Sequence, residues 1–126
     1  MSAMAESLNV FDEPLSPCSE EPLTGFFRDG CCNTGDDDAG SHTVCVEISA
    51  EFLECSRSLG NDLVTPRPEF GFAGLKPGDR WCLCAPRWLE ACEQQMAPRV
   101  FLTRTHKRAL GVIPLTLLRQ YAADLN

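Results

Sequence analysis

An α+β fold is predicted, a small two-layer sandwich with helices packed on a small, partly antiparallel sheet and with long ordered loops. Two observations carry this. Two runs of strand length, His42 to Ile48 and Arg80 to Ala85, are each followed at once by a helix-start signal, Ser49 and Pro86. Two long stretches punctuated by proline and glycine, 12–40 and 61–78, show no period of 2 or 3.6 and read as loops. A chain of 126 residues suffices for one core, so residues 8–126 are expected to form one domain after a mobile start at 1–7.

The elements follow in order. Leu8 to Phe11 reads as a short strand or an extended arm laid on the body. The segment 12–40 contains Pro14, Pro17, Pro22, Gly25, Gly30, Gly35 and Gly40, which makes it turns; ordered loops of that length are usually functional. His42-Thr-Val-Cys-Val-Glu-Ile48 is the clearest strand of the first half. Ser49 can cap a helix in which Phe52, Leu53, Ser56 and Leu59 form the buried stripe, and Gly60 ends it. Phe70, Phe72 and Leu75 are expected to pin the second loop to the core, and KPGD at 76–79 has the order of a type II turn. A strand at 80–85 leads into a helix from Pro86 to about Met96, with Trp88, Leu89 and Cys92 inward. Val100 to Leu102 reads as a third strand, Thr105 as a turn cap, Val112 and Ile113 as a small strand, and Pro114 as the opening of a last helix through about Ala122.

Charge divides along the chain. Residues 1–65 hold 13 acids and 2 bases, and residues 66–126 hold 5 acids and 9 bases, so the halves carry net −11 and +4. Inside one domain such halves can attract each other, and the basic run Arg104, His106, Lys107, Arg108 is weak evidence for nucleic acid as a partner. No basic start with an apolar run marks a secretory signal, and no stretch approaches the ~20 apolar residues of a membrane span. The expectation is a soluble, cytoplasmic protein without a membrane partner. In that compartment the eight cysteines read as free thiols rather than as a disulfide scaffold.

The strings PLTGFFRDGCCNTG (22–35), GNDL.TPRPEFGF (60–72) and GLKPGDRWCLCA..W (74–88) are long and unusual in composition. They resemble the bacterial and plant family called domain of unknown function 2237, from about Asn9 to about Ala122. The resemblance implies a small two-layer α+β domain and assigns no activity, so no catalytic residue is carried over from it. Asp36 to Asp38, Cys55 and Cys92 fall outside the distinctive strings.

Four groups of residues can carry chemistry. Cys82 and Cys84 project from one strand face, and the helix opening at Pro86, with Arg80 and Arg87 nearby, favours thiolate there. Joined by Cys31 or Cys32 and by Cys45 or His42, they can supply four soft ligands to zinc or an iron-sulfur cluster, although the spacing is not the repeated C-x2-C of a zinc ribbon. Cys18 can be a further ligand, but in a proline-rich turn it reads equally as exposed and incidental. A cysteine enzyme would draw its base from His42 or His106, the two histidines of the chain. Arg67, Glu69, Asp79 and Arg80 form a candidate pocket for a polar ligand. Asp36 to Asp38 lack the glycine and glutamate of a calcium loop and read as a solvated acidic tip. No GxGxxG, P-loop, HExxH or GxSxG string occurs, which removes the commoner nucleotide, zinc-protease and hydrolase readings. The sequence therefore favours a binding module for a metal or a small polar ligand, with a cysteine-dependent enzyme or a partner-binding structural protein as alternatives.

Overall fold

Strand β1 (His42–Glu47) occupies the middle of a three-stranded antiparallel sheet whose order is β2, β1, β3, with β2 spanning Arg80–Cys84 and β3 Arg99–Val100. The computed structural model describes residues 7–124, so the start expected to be mobile lies, apart from Ser7, outside the described residues. Alternation along β1 gives the sheet two different faces. Val44 and Val46 sit opposite Leu83 and Trp81 and belong to the apolar core, whereas Cys45 sits opposite Cys82 and joins a separate cluster with Cys18 and Cys32.

The helices cover the apolar face. α1 (Ala50–Ser58) starts where Ser49 Oγ accepts the Phe52 N–H at 3.1 Å, and Phe52, Leu53 and Ser56 are its buried residues. α2 (Ala85–Glu93) follows β2 without a loop and carries Pro86 in its first turn, where a missing N–H costs no hydrogen bond. Its Trp88 is fully buried and donates Nε1–H to Pro98 O at 3.1 Å, so the one polar atom of that indole is satisfied in the core. α3 (Leu115–Gln120) follows Pro114 and buries Leu118. This is the predicted α+β sandwich.

Three local expectations are corrected. Val112 and Ile113 form no strand: residues Lys107–Gly111 are a 3-10 helix, after which Ile113 is fully buried. The edge of β1 that such a strand would need is already occupied, because Phe101 N–H bonds Cys45 O and His106 N–H bonds Thr43 O. That 3-10 helix is capped by His106, whose Nδ1 accepts the Arg108 N–H, rather than by Thr105. Phe70 is 72% exposed, and the second loop is anchored instead by Leu75, by the half-buried Phe72, packed on Trp81, and by the half-buried Leu63.

Long-range polar contacts hold the loops. The predicted 76–79 turn closes with Asp79 N–H on Lys76 O, and Gly78 takes φ +96°. The N-terminal arm is bridged to His106 through Asn9, and Val10 is buried. Lys107 pairs with Asp12 and Arg108 with Asp36, so basic residues of the second half do meet acids of the first. No helix among the described residues is long and apolar enough to cross a membrane.

Candidate metal centre and thiol pocket

The long loop 12–40 folds over the face of the sheet that the helices leave bare. It delivers Cys18 and Cys32 onto Cys45 and Cys82, and all four are at most 1% exposed. The structure pairs them as two disulfides, Cys18 with Cys45 and Cys32 with Cys82, at Cα separations of 5.8 and 5.2 Å. This corrects the expectation of free thiols throughout, and the reason is register. Cys45 and Cys82 are cross-strand neighbours on one face, and two residues far away in sequence are laid over them. Spacing along the chain does not show that proximity.

Hydrogen bonds independent of sulfur place these segments. Cys18 N–H donates to Gly30 O at 2.7 Å, Cys45 N–H to Thr105 Oγ1 at 3.2 Å and Cys82 N–H to the buried Thr24 Oγ1 at 2.8 Å. Arg80 Nε donates to Cys18 O at 2.7 Å and Arg104 donates to Pro17 O, while both guanidiniums lie over the ring of Phe101, which packs on the cluster. The sulfurs of Cys18, Cys32 and Cys82 lie within 4.8 Å of one another. Three cysteines thus form a cluster that can coordinate a metal ion, with the sulfur of Cys45 joined to one of them.

Of the five predicted ligands, Cys32, Cys45 and Cys82 meet here, and Cys31 and Cys84 do not. Cys31 is a half-buried free thiol whose pKa is raised by burial and then by Asp29 and Glu20. Cys18, which the sequence leaves open between a further ligand and an incidental exposed residue, is the added member. Nothing in its proline-rich surroundings signals burial.

Cys84 belongs to a second site. It is a free, half-buried thiol at the N-cap of α2, and a β-bulge in β1 sets His42 opposite it. His42 Nδ1 lies 2.6 Å from Asp38 Oδ1, and Asp38 Oδ2 accepts the His42 N–H at 2.8 Å and the Thr34 hydroxyl at 3.0 Å. The Asp38 side chain has no exposure, so it is not the solvated tip the sequence suggests; Asp36 and Asp37 are. Gly40 allows the close fit: a Cβ there would stand 3.0 Å from His42 Cε1 and 3.1 Å from Cys84 Sγ. The His42 pKa is raised to about 9, chiefly by the neighbouring Cys84 sulfur and next, against the opposing effect of burial, by Asp38. Burial would raise the Asp38 pKa, but its hydrogen bonds to the His42 ring and backbone and to Thr34 hold it below the ordinary value. The spacing of Asp38 and His42 around a glycine is the signal that could have found this pair. His106 has its Nδ1 committed to the 3-10 cap, and burial, then Arg108, lowers its pKa.

The four residues of the candidate polar pocket are placed separately. Arg67 lines a hollow with Phe70, Phe72 and Trp81, and Arg80 lines another with Cys18, Glu20 and Arg104. Asp79 accepts the Lys76 N–H within its own turn, and Glu69 lies on the exposed 3-10 turn Pro68–Phe70.

A model of the family described as an uncharacterized protein conserved in bacteria, domain of unknown function 2237, matches residues 8–122. The chain belongs to this family. A search of the curated proteins finds no match. In this member of the domain of unknown function 2237 family, PLTGFFRDGCCNTG is the part of the loop that brings Cys32 to the sheet. The string GLKPGDRWCLCA is the turn and β2, which present Cys82 to the cysteine cluster and Cys84 to His42.

Proposed function

We propose that this domain is a binding module for a single soft metal ion, held by Cys18, Cys32, Cys45 and Cys82 when their disulfides are reduced. The observation that carries the reading is the convergence of four fully buried sulfurs from four chain segments. Metal ligation requires thiolates, so the disulfide and metal-bound states exclude each other. Reduction of each disulfide takes two electrons and two protons and leaves four thiols, which give up their protons on binding the ion.

Size favours one ion over a multi-iron cluster. Zinc–sulfur bonds of about 2.3 Å set sulfurs about 3.8 Å apart on the edges of a tetrahedron. Three sulfurs already within 4.8 Å need only small side-chain rotations to reach that arrangement, whereas a cluster of several irons needs them further apart. A closed, buried set of four thiolates is the chemistry of a structural zinc site. The same reading places the protein in the cytoplasm, where the thiol pool keeps such cysteines reduced, and makes nucleic acid an improbable partner for so acidic a first half.

The test is to reduce the protein under anaerobic conditions, add cobalt(II) or zinc and remove the excess. One retained equivalent per chain, with the strong near-ultraviolet thiolate-to-cobalt absorption, is expected, and Cys45→Ala should lose most of the affinity. A reduced, folded protein that keeps no metal would overturn the proposal.

A further inference from the structure

A cavity of about 250 Å³ is lined by Cys82 of the cluster, and Cys84 and His42 both line it too. Its walls include Phe26, which stacks on the His42 ring at 5.9 Å, together with Leu63 and Trp81. One cation faces the same space. The Arg28 guanidinium lies 5.3 Å over the Trp81 ring, and among the described residues it has no ion-pair partner. A thiol, an imidazole and an unpaired guanidinium thus line one small, mostly apolar hollow, with the buried Asp38 carboxylate held on the imidazole, and neither the fold nor the cysteine cluster requires that combination.

We propose that Cys84 is a nucleophilic thiol that captures small electrophiles carrying a carboxylate, with His42 as its proton acceptor, Asp38 as a positioning residue and Arg28 as the partner of the carboxylate. Asp38 engages Nδ1 and the backbone N–H of His42, which fixes the ring and leaves Nε2 as the nitrogen free to accept a proton. Nucleophile, base and orienting acid then stand in the order that thiol chemistry uses. The planar guanidinium can take a carboxylate through two N–H groups, while Phe26, Leu63 and Trp81 exclude water from the short apolar body between carboxylate and reacting carbon. Before the step the Sγ proton stands on His42, whose imidazolium faces the sulfur. The Cys84 thiolate then forms the sulfur–carbon bond as the bond from that carbon to its leaving group breaks, the leaving group departs as an anion with the electron pair, and His42 keeps its proton.

Iodoacetate is the smallest probe with this chemistry, and iodoacetamide is its neutral twin. The chain provides internal controls in Cys31, Cys55 and Cys92, which are also free and half-buried. Site-resolved alkylation of the unreduced wild type, read by peptide mass mapping, is expected to label Cys84 about tenfold or more faster than those three. At Cys84 the charged reagent should be favoured over the neutral one, whereas at Cys31, beside Asp29 and Glu20, it should be disfavoured. Arg28→Gln should remove the preference at Cys84 while keeping the iodoacetamide rate, and His42→Gln should slow both reagents there while Cys31 labels as before. Asp38→Asn should slow Cys84 less than His42→Gln does. Equal rates at all four cysteines in the wild type would overturn the proposal without any variant having to fold, and so would a reagent preference at Cys84 no different from that at Cys31.

Discussion

His42 sits between two groups that favour its protonated form, and this makes a definite prediction about pH. Its pKa in the folded protein, about 9, stands above the ordinary 6.5, so the stability it contributes is complete below about pH 6.5 and is lost as pH rises through 9. Asp38 has the opposite sign: its lowered pKa means that its contribution is present above its ordinary value of 3.8 and is lost as acid protonates the folded carboxyl. His42→Gln should therefore lower Tm at pH 6, with the gap to the wild type closing between pH 6.5 and 9.5. A gap that stays constant across that range would show that the ring acts by packing alone. The sequence names His42 as a candidate base, but the role of Asp38 was not legible in it, because DDD reads as solvated charge until the backbone turns back at Gly40 and buries the third aspartate while leaving the first two in water.

Among the elements, those governed by local chemistry were the most legible. Ser49 caps α1, Pro86 opens α2 and Pro114 opens α3, each where its side chain or missing N–H dictates. Ser49→Ala should cost about 1 kcal/mol by removing the acceptor for the Phe52 N–H, and chemical denaturation at neutral pH would measure it. The elements whose form depends on neighbours were read less well. Val112 and Ile113 have the composition of a strand, yet β-branched side chains ask only for a surface to pack on, and Ile113 finds one at the end of a 3-10 helix. The last turn cap shifted from Thr105 to His106 for a similar reason: the Thr105 hydroxyl is occupied, accepting from Cys45 N–H and donating to Phe101 O.

For the molecule as a unit, the cysteine cluster is the device that joins the long loop to the sheet. The disulfides span 27 and 50 residues, and loop-closure entropy assigns each about 3–4 kcal/mol, with less than additive effect because the two loops overlap. Reduction should accordingly lower Tm, and zinc added to the reduced protein should restore much of the loss, since an ion that binds only the folded state stabilises it. Thermal unfolding scans of oxidised, reduced and zinc-loaded protein would decide this. A reduced protein as stable as the oxidised one would show that the backbone tethers at Gly30, Thr105 and Thr24 hold the loop without sulfur.

The strings FFRDGCCNTG and DRWCLCA marked the region where chemistry lies, and their patterns were enough to set the class of fold, the main strands and the helix starts. Those are properties of contiguous residues, whose caps, turns and alternation act over a few positions. The grouping of the cysteines is different in kind. Alternation puts Cys82 and Cys84 on one strand face, but a β-bulge and the start of α2 send Cys84 to His42, while Cys82 joins Cys32 from 50 residues away. Cys18 joins Cys45 across 27 residues of irregular chain. Which sulfurs meet, and which thiol stands free beside a base, depends on how a loop without period closes over a sheet, and contacts of that length leave no spacing in the chain to be read.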